Sequence, residues 1–116
     1  GKAVDSKATE FYDVIDPATQ KVLWKVPQAT QAEMESAVAV SKAAQKDWAA
    51  SSVSERQRVM FAFQHLIRED MDNLAKLVTQ EQGKTLADAR GDVFRGLEVV
   101  EFACGAASHL MGETME

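Results

Sequence analysis

The sequence predicts a mostly helical chain in which a β-hairpin is followed by three helices. Three observations support this prediction: two short β-rich runs flank an Asp-Pro turn, two Ser/Thr-x-x-Glu motifs precede long helical patterns, and the final segment carries an apolar seam at helical spacing. The length of 116 residues allows one domain. We therefore expect a single domain in which residues 1–28 form the hairpin region and residues 29–116 form the three-helix segment.

The composition is typical of a globular protein and argues against two classes of partner. Apolar residues make up 46% and charged residues 27% of the chain, and 13 Lys and Arg against 18 Asp and Glu give a net charge of −5. A protein that binds the nucleic-acid backbone needs a basic face, which this balance does not favour. No apolar run approaches the roughly 18 residues that cross a bilayer. The sequence predicts neither nucleic acid nor a membrane as a partner.

The hairpin is predicted from two runs on either side of a turn. Residues 10–15 are rich in β-branched and aromatic side chains, and residues 21–26 place their apolar side chains on one side by period two. Asp16 and Pro17 lie between the runs, where proline presets φ and aspartate bonds to the turn backbone. An isolated hairpin is marginal in water, so we expect it to pack on another part of the protein.

The first two helices are predicted from capping boxes. The hydroxyl of Thr30 and the carboxylate of Glu33 can each satisfy an unpaired backbone amide, and Ser52 and Glu55 repeat this arrangement. Gly83 is predicted to end the second helix as a left-handed cap. The apolar stripe of the first helix comprises Met34, Ala37, Val38, Ser41, Ala44 and Trp48. That of the second comprises Val59, Phe63, Leu66, Ile67, Leu74, Leu77 and Val78.

The third helix is predicted to be the most buried. It begins at Thr85, and a second apolar stripe lies beside its main seam. The main seam, at steps of four and three residues, comprises Val93, Leu97, Val100, Cys104, Ala107 and Met111. Gly96 and Gly105 would allow a neighbour to approach closely. We expect this helix to contact more protein than the other two.

Spacing alone predicts no catalytic, cofactor-binding or metal-ligating residue. Cys104 is the only thiol, and on an apolar seam we interpret it as a packing residue, because a catalytic thiolate needs an exposed, electropositive setting. His65 and His109 lie on different helices without a metal-binding pattern. The segment Gly83–Thr85 resembles the end of a phosphate-binding loop, but it is predicted to join two helices and lacks the earlier glycine.

Five charged residues decorate the third helix: Asp88, Arg90, Asp92, Arg95 and Glu98. Residues three and four apart are neighbours on a helix, so Arg95 can reach Asp92 or Glu98. From spacing alone we interpret the group as a solvated face with surface ion pairs, each of small energy.

Several segments resemble the aldehyde dehydrogenases. Asp16–Thr19 and Val26–Thr30 are similar to the N-terminal part of this superfamily in general. Glu81–Ala89, Gly91–Glu101 and Met111–Thr114 more specifically resemble its CoA-acylating branch, the methylmalonate-semialdehyde dehydrogenases. The resemblance covers essentially the whole chain. It implies that the chain is the N-terminal piece of the α/β, Rossmann-like aldehyde dehydrogenase fold, with its helices in the NAD-binding domain of a longer enzyme.

The resemblance also implies an activity for that longer enzyme. Members of the branch oxidise methylmalonate or malonate semialdehyde with NAD: a cysteine thiolate adds to the aldehyde, hydride leaves to the nicotinamide, and the decarboxylated acyl group passes to coenzyme A. The products are propionyl-CoA or acetyl-CoA. Family members are homo-oligomers, usually tetramers. We expect an intracellular location, which is the mitochondrial matrix for a eukaryotic protein and the cytoplasm for a bacterial one.

One functional residue is implied by the resemblance. Arg95, in the segment Phe94–Glu98, matches the arginine that this branch associates with the substrate carboxylate, and a guanidinium fork suits a carboxylate. The catalytic cysteine and the nucleotide-binding strands of the family lie beyond Glu116, and Cys104 does not match the catalytic position. The resemblance implies no catalytic, NAD-binding or metal residue here. We expect the chain alone to be an inactive fragment whose partner is the remainder of the same enzyme.

Two alternatives stay open from the sequence. The chain could be a non-enzymatic helical interaction module in which the third helix pairs with itself in a dimer. It could instead be a fragment of another aldehyde dehydrogenase, such as one that acts on succinate semialdehyde. Against this last alternative the sequence offers only the segment around Arg95.

Overall fold

The computed structural model describes residues 3–115 and confirms a mostly helical chain with an N-terminal hairpin. The elements in order are β1 (Phe11–Ile15), β2 (Val22–Pro27), α1 (Gln31–Ala50), α2 (Val53–Glu69), α3 (Met71–Gln82), α4 (Leu86–Cys104) and α5 (Ala106–His109). The chain divides into two compact units between Ala49 and Ala50. The first unit holds the hairpin and nearly all of α1, and the second holds α2 to α5.

The hairpin is antiparallel, and its turn has the predicted cause. Val14 lies opposite Trp24 in the ladder. Asp16 Oδ1 accepts a hydrogen bond from the Ala18 N–H at 2.8 Å, and the Thr19 hydroxyl donates to Asp16 Oδ2 at 2.9 Å. The Thr19 hydroxyl, with the turn amides, lowers the pKa of Asp16, so the turn is tightest when this carboxylate is ionised.

Helix α1 begins at the predicted capping box, which also binds the segment before the hairpin. The Thr30 N–H donates to Glu33 Oε2 at 2.7 Å, and the Glu33 N–H donates to Thr30 Oγ1 at 3.3 Å. The Ser6 hydroxyl and the Lys7 N–H each donate to Glu33 Oε1 at 2.8 Å. One carboxylate thus joins the helix start to residues far from it in sequence. Within the described chain, α1 has no buried side chain.

The core of the second unit lies along α4. Among residues 3–115 the buried apolar side chains are Ala75 of α3 and, on α4, Ala89, Leu97 and Cys104. Helix α4 packs against both α2 and α3. Three of these four residues belong to α4, which confirms that this helix is the most enclosed of those predicted.

The predicted second helix is divided into two helices at Asp70. Helix α2 ends at Glu69 and α3 begins at Met71. The Asp70 N–H still donates to the Leu66 carbonyl at 3.0 Å, but the backbone of Asp70 leaves the helical region, at φ −100° and ψ 10°. Asp70 Oδ1 accepts a hydrogen bond from Asn73 Nδ2 at 2.8 Å. Asp and Asn favour such local bonds over helix interiors, so the chain has more helices than the three predicted.

Helix α4 is shorter than its predicted seam. It ends at Cys104, and the Gly105 N–H donates to the Phe102 carbonyl at 3.0 Å in the turn that leads to α5. The Gln57 side-chain amide of α2 donates to the Cys104 carbonyl at 2.5 Å, which satisfies one of the unpaired carbonyls at the helix end. Met111, the last residue of the predicted seam, lies outside the helices and is exposed.

Candidate functional site

The candidate site is a group of three charged residues, Lys84, Asp92 and Arg95, which we call the Arg95 cluster. Lys84 lies in the short link between α3 and α4. Gly83, with φ 83°, ends α3 as a left-handed cap, as predicted. Thr85 is the N-cap of α4, because its hydroxyl oxygen accepts a hydrogen bond from the Asp88 N–H at 3.2 Å. Lys84 therefore lies between two fixed backbone positions.

Asp92 lies between the two cations of the Arg95 cluster. Its Oδ2 contacts the Lys84 ammonium, and its Oδ1 accepts a hydrogen bond from Arg95 Nη1 at 2.8 Å. The hydrogen bond from Lys84 is the largest of the interactions that lower the pKa of Asp92, and the charges of Lys84 and Arg95 add to it. Asp92 is consequently ionised at neutral pH.

The exposures of the two cations differ strongly. The Lys84 side chain is 26% exposed, whereas the Arg95 side chain is 74% exposed. A guanidinium has five N–H donors, and within the described residues Arg95 uses one of them on Asp92. With one anion and two cations, the Arg95 cluster carries a net charge of +1. It can therefore offer an arginine fork to an anionic ligand.

The other charged residues of α4 divide between local and long-range pairs. The predicted pairing of Arg95 with Asp92 is confirmed. Arg90 instead pairs with Asp72 of α3. On the opposite helix, Arg68 Nη2 donates to Glu101 Oε1 at 2.9 Å, so α2 and α4 are also joined by an ion pair. The predicted solvated face thus contributes contacts between helices as well.

Cys104 is a packing residue, as predicted. It is a free cysteine and only 4% exposed, so its thiol is shielded from solvent. His65 pairs with Glu69 on its own helix at 3.4 Å, and the His109 ring stacks on Phe102 with a centroid distance of 5.0 Å. Within residues 3–115 no group of three or more acidic, histidine or cysteine side chains could hold a metal ion.

Lys84 is the member of the Arg95 cluster that sequence reasoning missed. The helix rule of neighbours three and four residues apart identifies Arg95 and Asp92, but Lys84 lies eight residues before Asp92 and outside α4. Its short link follows a left-handed glycine, and that turn brings Lys84 to Asp92. The sequence signal that could have identified Lys84 was its position between the predicted C-cap Gly83 and the predicted helix start at Thr85.

The chain belongs to the aldehyde dehydrogenase family, whose model matches residues 3–116. A protein of Aedes aegypti assigned as an acylating, mitochondrial methylmalonate-semialdehyde/malonate-semialdehyde dehydrogenase is 60% identical over 115 residues, which are 99% of this chain and 22% of that protein. The human enzyme of that name is 56% identical with the same coverage. The chain spans about a fifth of the length of these curated relatives.

The fold is also shared with solved structures. A Sinorhizobium meliloti protein complexed with NAD, assigned as a methylmalonate-semialdehyde dehydrogenase, matches with a TM-score of 0.90 and 40% identity. The match covers 99% of this chain and 23% of that one. The prediction that the chain has the fold of the N-terminal piece of an aldehyde dehydrogenase is thereby confirmed.

Among the described residues, the α3–α4 link does not fit the phosphates of a dinucleotide. Gly83 ends a helix, and the link joins α3 to α4 rather than a strand to a helix. Dinucleotide-binding loops of the Rossmann type have several glycines directly after a strand.

Among the helices of residues 3–115, none is long and apolar enough to span a bilayer.

Proposed function

We propose that this chain is part of an NAD-dependent, CoA-acylating dehydrogenase of methylmalonate or malonate semialdehyde, and that Arg95 binds the substrate carboxylate. The observation that carries the proposal is the 60% identity over 115 residues with a relative assigned that activity. The reaction converts the semialdehyde, NAD and coenzyme A into propionyl-CoA or acetyl-CoA, carbon dioxide and NADH. With methylmalonate semialdehyde as substrate, it would be a step of valine catabolism.

The geometry at Arg95 supports the carboxylate role. Its side chain is mostly exposed on α4, and its bond to Asp92 engages only one of the two terminal nitrogens of the fork. Charge-assisted, bidentate bonds to carboxylates are characteristic of arginine, which stays charged when partly buried. The two semialdehyde substrates each carry a single carboxylate, which the net charge of the Arg95 cluster can balance.

The remaining parts of the reaction belong to residues beyond this chain in the proposed enzyme. The buried Cys104 does not fit the nucleophile, and the α3–α4 link does not fit NAD, so we derive no step through either. We further propose that the enzyme is a homo-oligomer. For a eukaryotic protein, the mitochondrial label of the relatives supports a location in the mitochondrial matrix. For a bacterial protein the corresponding compartment is the cytoplasm.

Replacement of Arg95 tests the proposal in the full-length protein. We expect Arg95→Leu to lower kcat/KM for malonate semialdehyde about ten- to a hundredfold more than kcat/KM for propanal. Only malonate semialdehyde has a carboxylate, so only this substrate loses a charge-assisted hydrogen bond to Arg95. Formation of NADH is followed by absorbance, and acetyl-CoA is identified by mass spectrometry. Arg90→Leu is the matched control, since Arg90 lies on the same helix but pairs with Asp72.

Two outcomes would contradict the proposal. Absence of acetyl-CoA from the wild-type full-length protein, supplied with malonate semialdehyde, NAD and coenzyme A, would reject the reaction. Equal losses on malonate semialdehyde and propanal in Arg95→Leu would reject the carboxylate role of Arg95 while leaving the reaction intact.

A further inference from the structure

We propose that Lys84 is a positioning residue that acts through Asp92 and preserves the positive charge of Arg95 for the substrate carboxylate. The inference rests on the proposed function of Arg95 and extends it to two residues that do not themselves contact the substrate. It follows from the way in which one carboxylate is shared by two cations in the Arg95 cluster.

The pairing of Arg95 with Asp92 alone would work against anion binding. Asp92 Oδ1 lies 2.8 Å from Arg95 Nη1, so its negative charge is next to the guanidinium. An isolated pair of this kind has no net charge, and an approaching carboxylate would meet repulsion from Asp92 as well as attraction from Arg95. A site that uses Arg95 for an anion therefore needs to offset Asp92.

Lys84 supplies that offset on the other oxygen of the same carboxylate. Its ammonium contacts Asp92 Oδ2, while Arg95 keeps Oδ1. The net charge of the cluster becomes +1, which one substrate carboxylate would neutralise. Asp92 in turn restrains one end of the guanidinium, so less side-chain entropy remains to be lost when a ligand binds the other end.

The backbone on both sides of Lys84 favours this role. Gly83 adopts its left-handed conformation and Thr85 caps α4, so the segment that carries Lys84 is held at both ends. The Lys84 side chain is also much less exposed than that of Arg95. A partly buried, anchored ion pair is screened less by salt than a fully exposed one. Lys84 can therefore offset Asp92 under ordinary ionic conditions.

The test measures substrate discrimination in the full-length enzyme, defined as kcat/KM for malonate semialdehyde divided by kcat/KM for propanal. We expect Lys84→Met to lower this ratio about three- to tenfold, because without Lys84 the negative charge of Asp92 cancels the positive charge of Arg95 and weakens its attraction for the substrate carboxylate. Lys84→Arg should keep the ratio near its wild-type value. The activity with propanal reports folding and the chemistry that both substrates share. Lys76→Met, which removes an exposed lysine of α3 outside the cluster, is the matched control.

The double variant Lys84→Met with Asp92→Asn provides the decisive comparison. It removes one positive and one negative charge, so the net charge at Arg95 returns to +1 and the ratio should recover most of the loss seen in Lys84→Met. A purely structural role of Lys84 and Asp92 predicts a further loss instead. Recovery supports the inference, and an additive loss overturns it.

The inference and the proposed function fail in different ways. If Arg95→Leu lowers kcat/KM equally for both substrates, Arg95 does not bind the carboxylate. The inference about Lys84 and the proposed role of Arg95 then both fail. If Arg95→Leu is selective for malonate semialdehyde while Lys84→Met leaves the ratio unchanged, the role of Lys84 fails alone. A ratio that falls equally in Lys84→Met and in Lys76→Met would also overturn it, because the effect would then be one of general charge.

Discussion

Helices α1 and α4 carry similar apolar patterns but are buried to very different extents. On α4, Leu97 is 1% exposed and Cys104 is 4% exposed, whereas on α1 the seam residues are open, with Val38 63% exposed. Both patterns follow the same helical period. The comparison teaches that the period identifies the face of a helix that can be covered, while burial depends on which elements lie next to that face.

The difference has a local cause within each unit. In the second unit α4 has α2 and α3 as packing neighbours, and Ala75 of α3 and Ala89 of α4 are both completely buried, as small side chains are where helices approach closely. In the first unit α1 follows a two-stranded hairpin, and Glu33 accepts hydrogen bonds at the start of the helix. Helix α4 thus has buried apolar contacts with its neighbours, whereas the first turn of α1 is joined to its unit by hydrogen bonds to Glu33.

The largest expected effect separates these two kinds of helix directly. Leu97→Ala should lower the free energy of unfolding by about 2–5 kcal/mol, because it leaves a cavity in a buried site. Val38→Ala is the matched substitution on α1 and should change it by less than about 0.5 kcal/mol, since that side chain is already in water. Urea denaturation of the 116-residue chain, followed by circular dichroism, measures both.

Measuring the stability cost of Leu97→Ala and Val38→Ala in the full-length protein as well would sharpen the comparison. If another part of that protein covers the apolar face of α1, Val38→Ala becomes costly there while remaining nearly neutral in the 116-residue chain. Equal costs for Leu97→Ala and Val38→Ala within the 116-residue chain would break the comparison, because the exposed face of α1 would then have to be buried.

Substitution of two glycines in the second unit gives the next largest changes in stability, and these two changes have opposite signs. Gly83 has φ 83°, where a side chain is strained, so Gly83→Ala should destabilise the chain by about 1–2 kcal/mol. Gly96 lies inside α4, and apart from the adjacent residues and the nearby backbone of its own helix no described atom lies within 4 Å of the position of an added Cβ. Gly96→Ala should therefore stabilise the chain by about 0.5–1 kcal/mol through helix propensity. Thermal unfolding of both variants gives the two signs.

Gly96 also lies on a face of α4 that the described residues leave partly open. It lines an open apolar groove of about 510 Å³, together with Phe63 of α2 and Leu77 of α3. If the groove is filled in the full-length protein, Gly96→Ala should lose its stabilising effect there. A destabilising effect in the 116-residue chain itself would show that the groove is already closed.

Local signals predicted much of this structure because their causes are local. The capping boxes at Thr30 and Ser52 and the left-handed cap at Gly83 involve residues within one turn of each other, and all three are present. The division at Asp70 was missed because the apolar stripe continues across it. The effect of Asp70 depends on the competition between local bonds and the helix, which periodicity does not measure.

The candidate site was predicted only in part, for a related reason. The pair of Arg95 and Asp92 follows from their spacing on one helix. The contact between Lys84 and Asp92, and that between Arg90 and Asp72, connect different elements. Such contacts depend on how α3 and α4 pack, which the charge pattern of one helix does not contain. The carboxylate role of Arg95 came from resemblance and remains a proposal.

The smallest expected effect distinguishes the two capping boxes and concerns pH. Hydrogen bonds, of which that from the Thr30 N–H is the largest, lower the pKa of Glu33 from 4.5 to about 2, while the pKa of Glu55 is lowered by donors from Ser52 alone. Because the folded pKa of Glu33 is depressed, its stabilising contribution is present above about pH 4.5 and is lost as the pH falls through about 2.

Carboxyl-carbon NMR titration of the two glutamates tests this difference. The Ser6 hydroxyl donates to Glu33 from the segment before the hairpin, so Ser6→Ala should raise the pKa of Glu33 and leave that of Glu55 unchanged. Ser54→Ala, which removes a serine hydroxyl between Ser52 and Glu55 that does not bond to either glutamate, is the matched control. If Glu33 titrates at its ordinary value, neither Thr30 nor the segment before the hairpin donates to it in solution, and the polar contacts at the start of α1 are absent there.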